Sequence, residues 1–244
     1  EDLPTASFAG QQESFLNVQG EEELLASVVR CLASLFTDRA IAYREANGFD
    51  HATIALSVGV QRMVRADAGS AGVMFTIDTE SGFPQAVLIN AAWGLGESVV
   101  KGTVDPDELL LFKPAIARHA PDPLLRRRLG AKATMMVLAE GELRTRTVDV
   151  PADRRARFAL DTADAITLAR WAMRIEEHYS ELAGRPTPMD IEWAKDGVTG
   201  DLFILQARPE TAQARDVARG APVRHLVEAS RVLVRGRSVG TGIA

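Results

Sequence analysis

Period-two alternation is the clearest pattern in this chain of 244 residues. Between Ile54 and Val64 it sets Ile54, Leu56, Val58 and Val60 against Ser57, Gly59, Gln61 and Met63, which predicts a strand. Shorter strands are predicted over 72–76, 86–92 and 109–112, separated by turns rich in Gly, Pro and Asp. A strand pair is predicted over 134–139 and 143–150, joined by Glu140-Gly141-Glu142. Helical spacing takes over where Leu24, Leu25, Val28, Val29, Leu32, Leu35 and Phe36 follow the acidic turn Glu21-Glu22-Glu23. A second helix is expected from Asp38, read as its cap, to Asn47-Gly48. A third, long one is expected over 162–182, with Leu168, Ala172, Ile175, Tyr179 and Leu182 as its apolar stripe. Asp161 or Thr162 would cap it and Gly184 would stop it. Helices among mostly antiparallel strands point to an α+β or mixed α/β fold.

The stretch PMDIEWAKDGVTGDLFILQARPE, Pro188 to Glu210, reads as a hairpin with an unusual polar face. Its first arm turns Met189, Ile191 and Trp193 one way and Asp190 and Glu192 the other. Its second arm sets Phe203, Leu205 and Ala207 against Gln206 and Arg208. Asp190 and Glu192, two residues apart on a strand, have Cα atoms about 6.5 Å apart. Their carboxylates repel unless a cation sits between them. Mg²⁺ suits such a place, because it takes one or two carboxylates plus substrate phosphates. Gln206 adds an amide oxygen, and Arg208 adds a planar donor fork that matches phosphate oxygens. The same four residues also read as a solvated face with a cross-strand ion pair, worth roughly 0.2–1 kcal/mol.

Three other stretches leave a similar choice open. In SFAGQQESF (Ser7 to Phe15) the turn Ala9-Gly10 lets backbone N–H groups approach an anion, with Ser7 and Ser14 adding hydroxyls; an ordinary turn fits as well. It lacks the Gly-Lys-Ser/Thr ending of a P-loop. In VQRMVR (Val60 to Arg65) a strand end offers backbone groups to an adenine edge with Met63 beneath the ring, or simply ends. In Asn90 to Glu108, Gly94-Leu95-Gly96 lacks the third glycine of a dinucleotide fingerprint, and Glu97 caps a helix or meets a ligand.

Charge and cysteine content narrow the class. A net charge of −5 argues mildly against non-specific nucleic-acid binding. Residues 113–157, however, hold eleven Lys and Arg against five Asp and Glu. The run Arg126-Arg127-Arg128 there is either a solvated loop face or an electropositive wall. The single cysteine, Cys31, excludes an internal disulfide, fits a reducing cytoplasm and reads as a packing residue. No apolar run approaches the roughly 18 residues of a membrane span. The four histidines are scattered, and no Ser–His or Cys–His catalyst is readable. Glu1-Asp2-Leu3-Pro4 and Gly240 to Ala244 both read as loop interiors, so a longer polypeptide is expected.

Six stretches, EDLPTASFAGQQESFLNVQG, CLASLFTDRAIAYR, ALSVGVQRMVRADAGSAGVMFTIDTESG, NAAWGLGESVVKGTVDPDE, PMDIEWAKDG and FILQARPET, carry a resemblance. In this order, over most of residues 1–215, the sequence resembles the nucleotide-binding domain of the phosphoenolpyruvate synthase (pyruvate, water dikinase) family, relatives of pyruvate phosphate dikinase and rifampicin phosphotransferase. The resemblance implies an ATP-grasp-type domain over 1–210, lacking its N-terminal part, then a linker and the first strand of a phosphohistidine swivelling domain over 211–244. It implies an enzyme that phosphorylates that histidine from Mg-ATP, and then pyruvate, giving phosphoenolpyruvate, AMP and phosphate. Carried over by motif, Glu192 and Gln206 hold Mg²⁺ with Asp190 in support. Arg208 contacts the phosphates and stabilises charge in transfer. Gly10 and Ser14 belong to a phosphate-covering loop, and Gln61, Met63 and Val64 to the adenine hinge. The implied partners are ATP and the phosphohistidine domain, with pyruvate reached only through other domains; no nucleic acid or membrane is expected, and the location is cytoplasmic. The family's phosphate-binding lysine and an arginine precede its DLP segment, so this piece alone is expected to bind Mg-ATP weakly and to make no phosphoenolpyruvate. Two alternatives stay open: a related phosphotransferase with another acceptor, and a non-catalytic binding module using Arg126–Arg128.

Overall fold

Antiparallel pairing of short, apolar strands organises the chain. The computed structural model describes residues 2–3, 6–7, 12–141 and 144–210. Two-residue strands β1 (Asp2–Leu3) and β2 (Ala6–Ser7) pair with each other. Helix α1 (Glu21–Ala33), a 3₁₀ turn (Ser34–Phe36) and helix α2 (Asp38–Asn47) follow. Then come β3 (Ser70–Phe75), β4 (Ala86–Trp93), the short helix α3 (Glu97–Val100), β5 (Asp107–Phe112), α4 (Lys113–Ala117) and β6 (Leu124–Arg128). The chain continues through β7 (Thr134–Leu138), β8 (Thr145–Asp149), α5 (Ala152–Arg155), α6 (Thr162–Ala183), β9 (Met189–Lys195) and β10 (Leu202–Pro209). Six strands form one antiparallel sheet in the order β10-β9-β3-β4-β5-β6, and β7 and β8 form a separate hairpin. The fold is α+β.

The strand period divides this sheet into two unlike faces. Met74, Val87, Ile89, Leu109, Leu111, Met189, Ile191 and Trp193 lie on one, under the buried Ala165, Leu168, Ala169 and Ala172 of α6. Helix α6 is capped by Asp161, whose carboxylate accepts from Asp164 N, and stopped by Gly184 in the left-handed region. The other face is covered only in part. There Ala71 and Ala194 pack with Ala66, Leu95, Leu16, Met63, Val64, Met136, Leu138 and Leu205. That face also holds Val73, Leu88, Asn90, Ala92 and Glu108 of β3 to β5, with Leu88, Ala92 and Glu108 buried, and at its other end the polar side chains of β9 and β10.

Before the β9–β10 hairpin, five expectations need correction. Residues 54–64 form no strand among the described residues; their side chains alternate in burial as far as Val58, but no strand pairs with them. The apolar stripe of α1 is wider than its contact, so Leu25, Val29, Leu32 and Phe36 are exposed and only Ser27 of the helix is buried. The cap of α2 is Thr37, whose hydroxyl accepts from Ala40 N, because Asp38 is already helical. Leu182 lies one turn beyond the packed part of α6 and is exposed. Arg126-Arg127-Arg128 is not a loop but the end of β6, an edge strand, where charge discourages further pairing.

Candidate functional site

The hairpin of β9 and β10 sets its polar residues directly opposite one another. Glu192 pairs with Gln206 and Asp190 with Arg208, all four on the face turned away from α6. The Arg208 guanidinium grips Asp190: Nε and Nη2 donate to Oδ2 at 3.0 and 2.7 Å. The expected alternation of β10 is interrupted by a bulge between Ile204 and Gln206. Ile204 and Ala207 therefore pack under α6, whereas Leu205 joins the cluster on the polar side. The sequence had placed Leu205 and Phe203 with Ala207; Phe203 pairs with Ala194 and shares its face instead.

Register extends this polar patch across the sheet. Glu192 pairs with Val73, Val73 with Asn90, Asn90 with Glu108 and Glu108 with Arg128. Gln206, Glu192, Asn90, Glu108 and Arg128 thus stand in one row, interrupted only by Val73. Sequence reading weighed Arg126–Arg128 and the stretch Asn90 to Glu108 separately and did not join Asn90, Glu108 or Arg128 to Glu192 and Gln206, because the pairing that aligns the two groups runs through β3 and β9, strands distant in sequence. Arg128 donates to Glu108 at 3.1 Å and Asp105 at 3.0 Å, Arg126 lies 3.7 Å from Glu80, and Arg127 sits over the Phe158 ring. The basic run is therefore engaged within the protein.

The proposed hinge residues lie beside β10. Gln61 Nε2 donates to Leu205 O at 3.0 Å, next to Gln206, and Met63 and Val64 pack with Ala194 and Leu205. Arg65 N donates to Asp196 Oδ2 at 3.2 Å, and Gly197 N donates to Arg65 O at 3.1 Å. This double tie fixes the segment to the turn between β9 and β10. Asp196 also accepts from Thr199 N and Val198 N, and these bonds hold its carboxyl below the ordinary range.

Other candidates lie apart. Gly10 lies outside the described residues. Ser14 is exposed and lines a cavity of about 250 Å³ with Glu23, Arg30, Glu97 and Arg144, and none of Asp190, Glu192, Gln206 and Arg208 lines it. Glu97 pairs with Lys101 one turn on. Leu95 N donates to Met136 O at 2.9 Å, so Gly94-Leu95-Gly96 docks the β7–β8 hairpin. Cys31 is half-buried and partial burial pushes its thiol up, as for a packing residue.

The donor set suits a substrate-bound cation better than a resident one. Among the described residues no three or more His, Cys, Asp or Glu gather as a metal site. One carboxylate and one amide oxygen, Glu192 and Gln206, fit Mg²⁺ that arrives with phosphates, since that ion keeps waters and substrate oxygens in its shell.

Comparison with known proteins places this face in context. Residues 1–226 match the family model for the pyruvate phosphate dikinase AMP/ATP-binding domain. The chain belongs to that family. It is 54% identical over its whole length to phosphoenolpyruvate synthase of Synechocystis sp. and 51% identical over 98% of its length to that of Escherichia coli. A probable phosphoenolpyruvate synthase of Methanocaldococcus jannaschii is 40% identical over the whole chain. The chain spans about 30% of the length of the first two relatives and 19% of the third. Among the described residues of this family member, no helix is long and apolar enough to cross a membrane.

Proposed function

We propose that the sheet face bearing Asp190, Glu192, Gln206 and Arg208 is one wall of an ATP-grasp-type site for Mg-ATP. On this reading the longer protein passes the β-phosphoryl of ATP to a histidine on a swivelling domain and then to pyruvate, in the cytoplasm. Residues 211–244, which lie outside the described residues, are read from their sequence as the linker and first strand of that domain. One observation carries the proposal: a carboxylate–amide pair and a carboxylate–guanidinium pair stand in adjacent register on one face of the sheet, away from α6, in a chain of an AMP/ATP-binding family.

Glu192 and Gln206 would hold Mg²⁺, which neutralises phosphate charge when bound. Asp190 fixes the Arg208 fork through two hydrogen bonds, so the guanidinium meets phosphate oxygens already oriented. The segment holding Gln61, Met63 and Val64, tied to Leu205 and Asp196, offers backbone groups to the adenine edge. No covalent catalyst is required of this chain, because phosphoryl transfer is mostly positioning and charge neutralisation.

Histidine phosphorylation tests this reading. In the full-length protein incubated with Mg-ATP labelled at the β-phosphate, wild type is expected to acquire label. Arg208→Ala should reduce the labelling rate by about 10³-fold, the scale of a lost transition-state cation, while leaving the protein folded. Labelling of folded Arg208→Ala at a near-normal rate would remove Arg208 from the mechanism.

A further inference from the structure

The segment read as the adenine hinge is tied to the β9–β10 hairpin at both ends. At one end Gln61 Nε2 donates to Leu205 O, beside Gln206. At the other, Arg65 N donates to Asp196 Oδ2 at 3.2 Å and Gly197 N donates to Arg65 O at 3.1 Å. Residues 62–64 span the interval, with Met63 and Val64 packed with Ala194 and Leu205. Among the described residues no strand pairs with this span, so its backbone is not committed to a sheet.

The local geometry suits Asp196 to hold its end. Asp196 N donates to Asp201 O and Asp196 O accepts from Gly200 N, both at 2.8 Å, which closes the turn. Oδ1 accepts from Val198 N at 2.8 Å and Thr199 N at 3.0 Å, which fixes the side chain and leaves Oδ2 for Arg65 N. The two backbones also touch. A Cβ on Gly69 would stand 2.2 Å from Lys195 O, and one on Gly197 would stand 2.2 Å from the Ala68 carbonyl carbon. The Arg65 guanidinium engages Asp67 at 2.9 and 3.0 Å, so the link to Asp196 belongs to the main chain. The carboxylate therefore sets where the hinge backbone lies relative to the strand carrying Glu192, whose position is roughly 13 Å away along an extended chain.

Chemistry says what such placement decides. Adenine presents an N6 amino donor where guanine presents an O6 acceptor. A backbone edge offers one carbonyl acceptor and one N–H donor per residue in fixed order. It pairs with one base and opposes the other, and the distinction fades once the edge is free to shift. Phosphates are met instead by Mg²⁺ and Arg208, which do not depend on this edge.

We propose that Asp196 is a positioning residue for base recognition: by holding Arg65 N it fixes the backbone edge of residues 61–64 against the base and sets a preference for adenine over guanine nucleotides. The proposal rests on the Mg-ATP reading of the β9–β10 face and adds base specificity to it.

Displacement of a ribose-labelled fluorescent ATP analogue from the full-length protein tests it, with Mg-ATP, Mg-GTP and Mg-tripolyphosphate as competitors and thermal unfolding alongside. Asp196→Asn keeps Oδ1 for Val198 N and Thr199 N but turns an amide N–H₂ toward Arg65 N, so it cuts the link and leaves the turn. Its affinity for Mg-ATP should fall about fivefold, the effect of one exposed hydrogen bond. Mg-GTP and Mg-tripolyphosphate should bind as they do to wild type, so the preference for ATP narrows by the same factor. Asp196→Ala, which also releases Val198 N and Thr199 N, should lose at least as much ATP affinity. Unchanged ATP affinity in the folded variants, or a loss shared equally by GTP or tripolyphosphate, overturns the proposal. Wild type that binds ATP and GTP alike overturns it too. Failure of wild type to bind Mg-ATP instead defeats the functional reading beneath it, and the same titration separates the two failures.

Discussion

Replacing Asp107 by Asn should unlock the core side of the sheet. Asp107 and Lys132 are both completely buried and form an ion pair. Asp107 Oδ1 also accepts from Gly130 N at 2.9 Å and Oδ2 from Ala159 N at 2.7 Å, while Lys132 Nζ donates to Gly130 O at 2.9 Å. One carboxylate thus joins β5, the loop before β7 and the segment leading into α6. Asparagine removes the counter-charge of a buried ammonium. It also offers one acceptor oxygen where the carboxylate offered two, so a backbone N–H loses its partner. Breaking one side of a buried pair costs about 3–5 kcal/mol. The orphaned N–H, worth about 1–3 kcal/mol, overlaps with that cost, so a loss of about 4 kcal/mol is expected. That is a large share of the roughly 5–15 kcal/mol that holds a domain folded.

Urea unfolding followed by tryptophan fluorescence measures this, because Trp193 is completely buried in the same core. Adding Lys132→Met to Asp107→Asn removes the unpaired charge and should restore about 2 kcal/mol. Asp107 faces α6 while its neighbour Glu108 faces the polar row, so nucleotide binding per folded molecule should not change. A single variant within about 1 kcal/mol of wild type would refute the reasoning. A double variant no more stable than the single one would refute it equally.

Two more predictions follow from local geometry. The Arg128 hydrogen bond outweighs partial burial and holds the Asp105 carboxyl below its ordinary 3.8. A depressed carboxylate stabilises the fold above its unfolded pKa and loses that effect as pH falls through the folded value. Asp105→Asn should therefore lower the melting temperature at pH 7, with the gap to wild type closing below pH 3.8; a gap that widens on acidification contradicts it. Gly94 has φ +86°, and a Cβ there would stand 2.4 Å from Met136 O. Gly94→Ala should cost about 1–2 kcal/mol for the conformation alone and more for the contact, read as a lower urea midpoint.

Local patterns were legible wherever partners lie close in sequence. The β9–β10 hairpin, the β7–β8 pair, the caps of α6 and the left-handed stop of α2 at Gly48 all follow from residues within a few turns of each other. Residues 54–64 show the opposite case. Their alternation records which side faces the protein, but a strand also needs a neighbour to complete its hydrogen bonds, and periodicity does not report that. Helix α1 fails similarly, since its apolar width says nothing about how much of it a neighbour covers. Arg126–Arg128 looked like a loop because charge was weighed above the flanking Leu124 and Leu125, although charge is common on edge strands.

The candidate site divides along the same line. Asp190, Glu192, Gln206 and Arg208 were readable because one hairpin carries them, and a two-residue period sends each pair to one side. The bulge preserved that result by an unread device: it turned Leu205 toward the polar face yet kept Gln206 opposite Glu192. Asn90 could not be reached this way. It meets Glu192 only through β3, which pairs with β4 on one side and with β9, more than a hundred residues later, on the other. The hairpin half of this polar row is written in local alternation. Its far half is written in sheet order, so a polar residue on a central strand gains meaning only once its cross-sheet row is known.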